Sequence, residues 1–247
     1  MKITAIIQAR SGSTRLPEKI FKELFGKPIL WHVHNRVQQS KLISQIVIAT
    51  TNLSEDDKVE EFCVSNDFLF YRGSSDDVLS RYYEAAKKFN ADIIIRITSD
   101  CPVIDPVILD KMIETYLKEQ KENGIDYLSN TIHRTFPRGL DVEILTMSVL
   151  EKIFNEANKQ YEREHVTPYI YQHTNIFKIK NFENDKDLSH LRLTVDTSED
   201  FKLIEIIYDE IYPQKKNFLL DDVEKLLERK PELADINKFV EQKKLGE

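Results

Sequence analysis

Short apolar runs alternate with segments of helical period through the first half of the chain. Ile3–Ile7, Ile46–Ala49, Phe68–Tyr71 and Ile93–Ile97 are predominantly apolar stretches of strand length. Each is followed by a polar loop and then by apolar positions three and four apart, which predicts strands alternating with helices. Pro28 opens one helix at its first turn, ahead of Leu30, Val33 and Val37. Ser54 with Asp57, and Ser74 with Asp77, read as Ser-x-x-Asp caps before apolar faces. Asp105-Pro106 begins another helix, with Leu109, Met112, Ile113, Tyr116 and Leu117 on one side. Alternation of this kind predicts an α/β fold built on a doubly wound, mostly parallel sheet.

The second half is less regular. Asp126–Leu128 and Asp141–Leu145 read as strands separated by the loop Asn130–Leu140. Helices are expected from about Ser148 and near Val166–Tyr171, with strands at Phe177–Lys180 and Arg192–Val195. Phe201–Tyr212 aligns Ile204, Ile207, Tyr208 and Ile211 as a helix, and Leu219–Arg229 is a last helix stopped by Pro231. This half predicts a small inserted α+β subregion. No repeat, low-complexity linker or Gly/Ser tract interrupts the chain, so residues 1–247 are expected to form one domain.

Composition agrees with a globular chain. Hydrophobic residues are 41% and charged residues 31% of 247, enough for a core that needs no disulfide or structural metal. Cys63 and Cys101 lack CxxC spacing and read as reduced thiols. The first apolar run is too short for a signal peptide, and nothing reaches the ~20 apolar residues that span a bilayer. A cytoplasmic protein without membrane insertion is expected. The formal charge of −7 argues against a nucleic-acid surface, which needs a basic excess. It leaves room for a small phosphorylated ligand, provided the basic residues are clustered.

They are clustered in the first loop, Gln8-Ala9-Arg10-Ser11-Gly12-Ser13-Thr14-Arg15-Leu16-Pro17-Glu18-Lys19. Small residues at 11 to 14 let backbone amides approach a phosphate, and Arg10, Arg15 and Lys19 carry charge to neutralise a triphosphate. The loop is neither a GxxxxGK[ST] phosphate loop nor a GxGxxG fingerprint, and by composition alone it also suits an exposed basic loop. Asp100 and Asp196 each follow an apolar run, so both carboxylates are expected at strand ends, where ligands of doubly wound sheets gather. Magnesium takes one or two carboxylates together with phosphates and water, and two aspartates suffice for it. Either aspartate also suits a helix cap or turn. Asp77 and Arg81 lie one helical turn apart and suit a surface ion pair equally well. His165 has no HExxH partner, and a packed or capping histidine is the commoner role for such a residue. Cys101 beside Asp100 has no identifiable base and reads as a small thiol lining a pocket.

The stretch Ile6-Ile7-Gln8-Ala9-Arg10-Ser11-Gly12-Ser13-Thr14-Arg15-Leu16-Pro17 resembles the signature loop of the sugar cytidylyltransferases, which include the CMP-nonulosonate and CMP-Kdo synthetases. The likeness is strongest to their spore-coat polysaccharide branch. It continues through Arg72–Tyr83, Arg96–Pro102, Phe136–Glu143, Tyr161–Tyr171 and Leu188–Asp200 in family order, covering roughly the first 210 residues. The resemblance implies the Rossmann-like fold of nucleotide-diphospho-sugar transferases, with CTP and a small acidic sugar as substrates, magnesium (Mg2+) as cofactor, and a homodimer. It implies catalytic roles for Arg10, Arg15, Lys19, Asp100 and Asp196, the two aspartates holding the metal. It places Ala9, Ser11, Gly12, Ser13, Thr50, Arg72, Gly73, Asp77, Arg81 and Thr98 around the nucleotide. Arg134, Arg138, Asp141, Glu143 and His165 then suit the acceptor, since arginine captures a carboxylate through two bonds. Residues 130–187 would form an acceptor-binding or dimerisation subregion.

Two other functions compete. A glycosyltransferase using a nucleotide-sugar donor shares the general architecture and usually carries a DxD metal motif. The literal match is Asp185-Lys186-Asp187, in a polar stretch expected to be exposed. A non-catalytic nucleotide-binding protein has no evident need for both Asp100 and Asp196.

Overall fold

The computed structural model describes residues 1–242. The first half runs β1 (Ile3–Gln8), short strands β2 (Glu23–Leu24) and β3 (Lys27–Pro28), α1 (Ile29–Val37), β4 (Gln45–Thr51), α2 (Asp57–Ser65), β5 (Leu69–Gly73), α3 (Val78–Lys88), β6 (Ile93–Thr98) and α4 (Pro106–Asn123). The second half runs β7 (Tyr127–Ser129), β8 (Glu143–Thr146), α5 (Met147–Glu156), α6 (Gln160–His165), α7 (Pro168–Gln172), β9 (Ile179–Asn181), α8 (Ser198–Ile211) and α9 (Leu220–Arg229).

Seven strands form one sheet in the order β5-β4-β1-β6-β8-β7-β9. From β5 to β6 neighbours are parallel, as the strand–helix alternation predicts. Only β8 runs antiparallel, to β6 on one side and β7 on the other, while β9 rejoins β7 in parallel. Ala5, Ile6 and Ile7 in β1 are fully buried, which is why that strand reads as a continuous apolar run. Side-chain alternation then divides the core. Ile7, Ile48 and Ile95 pack with apolar residues of α1, α2, α4, α8 and α9, whereas Ile6, Ala49 and Ile94 pack with α3 and α5.

Several local expectations shift. Pro28 ends β3 and stands just outside α1, whose first residue is Ile29. Ser54 belongs to a short 3-10 turn, Ser54–Asp56, and its side chain caps nothing. Ser74 accepts from the Asp77 amide at 3.0 Å, and Asp77 is the residue that caps α3, accepting from Ser80 N at 2.9 Å. Asp105 caps α4 as expected, accepting from Val107 N at 2.8 Å and Ile108 N at 3.2 Å.

The strand expected at Arg192–Val195 is absent. The segment crosses the ends of other elements and does not run along one neighbour, so it bonds in turn to Arg138 and to Asp100. Leu193 N donates to Arg138 O at 2.7 Å, and Val195 N donates to Asp100 O at 2.9 Å. Its one ladder contact is an isolated bridge between Arg138 and Arg192. Gly139 makes this crossing possible. It has φ +102°, and a Cβ there would meet the Leu193 carbonyl at 2.5 Å. Gly139→Ala is therefore expected to cost about 1–3 kcal/mol and lower Tm by roughly 2–12 °C, read by thermal melting. An unchanged Tm would show that the crossing tolerates a side chain.

Candidate active site

The arginine-bearing loop leaves β1 at the carboxyl end of the sheet and is fixed from below. Ala9 N donates to Ala49 O at 3.1 Å, and Ser11 N donates to Asp56 Oδ1 at 2.6 Å. Asp56 is fully buried and also accepts from the Thr51 hydroxyl. The loop turns back on itself through Ser13 N to Ser11 O at 2.9 Å and Glu18 N to Ser11 O at 3.3 Å. A 3-10 turn over Lys19–Phe21 then buries Ile20 and directs Lys19 inward.

Lys19 Nζ meets two carboxylates at once, Asp100 Oδ2 at 2.8 Å and Asp196 Oδ1 at 2.8 Å. Arg15 Nη2 reaches Asp196 Oδ2 at 3.0 Å, and Arg192 Nη2 reaches the same oxygen at 2.8 Å. The backbone draws the two acids together, since Asp100 O accepts from Val195 N at 2.9 Å and Thr194 Oγ1 at 3.0 Å. Thr98 Oγ1 donates to Asp100 Oδ1 at 2.6 Å. Burial works to raise the Asp100 pKa, but the Lys19 ammonium and the Thr98 hydroxyl outweigh it and hold the group down to about 2. Burial likewise works to lower Lys19, and the two carboxylates overcome it and raise its pKa.

Beside these acids lies a cavity of about 180 Å³, walled by Asp100, Asp196, Thr194, Arg138, Asp141 and Gln242 among others. Arg134 is held in two bonds by Asp141, at 2.6 and 2.8 Å. Arg138 lines the cavity; burial and the nearby Arg134 lower its pKa. Cys101 also lines it, and burial and Asp100 push its thiol up, which fits the lining role and not that of a nucleophile. A larger groove of about 470 Å³ between α8 and α9 is lined by none of the expected site residues.

The nucleotide-side residues divide. Gly12 is exposed and Ser13 half-buried on the loop, with Arg10 exposed beside them. Ser11 and Thr50 are buried, and their hydroxyls have no partner among the described residues. Arg81 is 1% exposed; its Nη1 donates to Ser74 O at 2.7 Å, while Nε and Nη2 lack partners among the described residues. A Cβ on Gly73 would stand 3.1 Å from Arg81 Cγ, so the glycine makes room for that side chain. Three such unspent polar groups are what a polar ligand leaves unpaired without it. Arg72 is already occupied: it bonds Thr51 O at 2.9 Å, Leu53 O at 2.8 Å, and Glu60 and Asp57 at 2.7 Å each. The surface pair of Asp77 with Arg81 does not form. Asp77 pairs with Arg163 at 2.5 Å, a partner 86 residues away that spacing could not reveal.

Glu143 and His165 also separate from Arg134, Arg138 and Asp141. The Glu143 carboxylate is buried against Arg96, accepts from Tyr127 Oη at 2.5 Å and from Thr167 Oγ1 at 2.6 Å, and has no free edge for an acceptor. The cause is register: Glu143 lies opposite Arg96 in the β6–β8 ladder, facing the α3 and α5 layer. His165 is half-buried near the same pair, and burial lowers its pKa. Asp185 and Asp187 are exposed, with Asp187 Oδ1 accepting from Ser189 N at 2.9 Å, so the DxD match faces solvent.

Because the folded-state pKa of Asp100 lies below its usual value, its stabilising contribution is present above pH ~4 and lost as the pH falls through ~2. Thermal melts in chelator should show a Tm gap between wild type and Asp100→Asn that is constant at neutral pH and closes between those limits. A gap unchanged at pH 2 would contradict the pairing.

A family model described as cytidylyltransferase matches residues 4–245. The structure of a cytidylyltransferase from Leptospira borgpetersenii superposes with a TM-score of 0.89 at 40% identity, covering 95% of this chain and 97% of that one. The spore coat polysaccharide biosynthesis protein SpsF of Bacillus subtilis is 33% identical, over 94% of this chain and 96% of its own. A 3-deoxy-manno-octulosonate cytidylyltransferase of Geobacter metallireducens is 29% identical, over 72% of this chain and 74% of its own. No helix among the described residues is long and apolar enough to cross a membrane. With an arginine loop and two sequence-distant aspartates meeting at one lysine, and a family match along nearly its whole length, the chain belongs to the cytidylyltransferase family.

Proposed function

We propose that this CTP-dependent nucleotidyltransferase moves CMP from CTP to a small acidic sugar for a surface polysaccharide, releasing pyrophosphate. The observation that carries the reading is the convergence of Arg15, Lys19, Asp100 and Asp196 on one point. The relatives support the substrate class, since one acts on 3-deoxy-manno-octulosonate and another is named for polysaccharide biosynthesis.

An oxygen of the acceptor attacks the α-phosphorus, the bond to the β-phosphate oxygen breaks in line, and pyrophosphate departs. Such a reaction is served by positioning and charge neutralisation. Arg10, Arg15, Lys19 and the main chain near Gly12 hold the β- and γ-phosphates. Arg81, Thr50 and Ser11 offer their unspent groups to the nucleoside. Arg138, beside the Arg134–Asp141 pair, takes the acceptor carboxylate.

Asp100 and Asp196 fit a magnesium ion. Both present an oxygen 2.8 Å from the same Lys19 nitrogen, so a cation already stands between them. Two hard carboxylates, with phosphates and water for the rest, make a donor set suited to Mg2+. When bound, the ion neutralises phosphate charge and lowers the pKa of the attacking hydroxyl. With an ion held by the two acids, Lys19 would be released to the phosphates. Residues 130–187 serve as the acceptor and dimer subregion, where Ile132 and Ile176 are exposed at 42% and 40%. The homodimer and a cytoplasmic location are parts of this proposal, and nucleic acid is not a partner.

A pyrophosphate-release screen of CTP, UTP, ATP and GTP against acidic sugars, with and without Mg2+, tests the reading. CTP with one acidic sugar and Mg2+ is expected to give turnover. Asp100→Ala and Asp196→Ala should each lose about 10²–10³-fold or more in kcat while remaining folded. Near-full turnover in either variant rules out the metal assignment, and free nucleotide released from a sugar donor would favour a glycosyltransferase.

A further inference from the structure

The polar network around Asp196 extends away from the cavity into the C-terminal segment. Arg192, 7% exposed, uses every guanidinium nitrogen. Nη2 donates to Asp196 Oδ2 at 2.8 Å and Asp200 Oδ2 at 3.0 Å, Nε to Asp200 Oδ1 at 2.8 Å, and Nη1 to Gln242 Oε1 at 2.7 Å. Asp200 is fully buried and also accepts from Asp196 N at 3.0 Å and Thr197 N at 3.2 Å. Asn237, 3% exposed, donates to Asp200 Oδ1 at 2.8 Å and to Arg192 O at 2.9 Å.

A guanidinium with an acceptor on each nitrogen has one orientation; without them it has several. Here that orientation aims Nη2 at the Asp196 oxygen that Arg15 also touches. Packing alone would not call for Asn237, because burying an amide is costly unless it is bonded, and Leu233 and Ile236 already anchor the segment in the core. Gln242 in addition walls the cavity beside Asp100 and Asp196.

We infer that the C-terminal segment is part of the nucleotidyl-transfer site, with Asn237 and Gln242 as positioning residues that aim Asp196 through Arg192 and Asp200. The inference rests on the proposed role of Asp196 toward metal and CTP. Groups that orient a metal-binding carboxylate typically change metal affinity about 10–100-fold when lost.

The test is Mn2+ binding to the full chain in the presence of CTP, followed by electron paramagnetic resonance, with Tm measured in parallel. Asn237→Leu, which keeps the branched shape and removes both polar atoms, should weaken Mn2+ binding about 10–100-fold, and Gln242→Ala should weaken it less. Ile153→Ala, in the core layer on the other face of the sheet, should lower Tm and leave Mn2+ affinity unchanged. Wild-type Mn2+ affinity in a folded Asn237→Leu, whatever its Tm, overturns the inference and leaves the proposed function standing. Should Asn237→Leu not fold, Gln242→Ala decides in the same way, since Gln242 is exposed and its removal leaves no cavity. Failure of the wild-type protein to bind Mn2+ with CTP overturns both.

Discussion

Two carboxylates that approach one another as anions are held by cations, and in this protein the cation that touches both is the Lys19 ammonium. Its contacts to Asp100 and Asp196 join positions 81 and 177 residues away in sequence. Burial disfavours the charges of Lys19 and Asp100, and their pairing, with Arg15 and Arg192 on Asp196, makes the arrangement tolerable. Everything else around the cavity supports this contact. The 3-10 turn delivers Lys19, the end of β6 delivers Asp100, and the crossing of residues 192–195 over Gly139 delivers Asp196.

The sheet order explains why these three come from such distant places. β1 and β6 are neighbours, so the loop after Gln8 and the turn after Thr98 open side by side at the same sheet edge. The chain then leaves through α4 and returns after β9, and the Asp100 carbonyl receives the returning strand-like segment at Val195 N. Asp56 holds the arginine loop from the α2 side as Asp200 holds the far wall. Both are fully buried acids whose oxygens receive backbone amides, Ser11 in one case and Asp196 with Thr197 in the other.

What the sequence made legible was short-range. β1, β4 and β6 are apolar because both faces are buried, the edge strand β5 is only half-buried, and the Asp105-Pro106 start of α4 is a local cap. Lys19, Asp100 and Asp196 could be named from the motifs the resemblance rests on, although their meeting is a tertiary fact and Asp196 does not end a strand. The misses were of the opposite kind. α6, with Gln160–His165, has no apolar stripe to announce it. Arg163 finds Asp77, and Asn237 finds Asp200, across distances that no periodicity encodes. The resemblance groups Glu143 with Arg138 and Asp141 at the acceptor, yet strand pairing with Arg96 commits it to the interior. Arg192–Val195 has a strand's composition but crosses its neighbours, so only one bridge forms.

On the proposed function, the point held by Lys19 Nζ is where a divalent ion and the triphosphate of CTP would meet. Anomalous diffraction from crystals soaked with Mn2+ and CTP measures it directly. A peak at coordination distance from both Asp100 Oδ2 and Asp196 Oδ1, with Lys19 turned onto the phosphates, is the expected result. A peak touching neither carboxylate, with Lys19 still bridging the two acids, would contradict it.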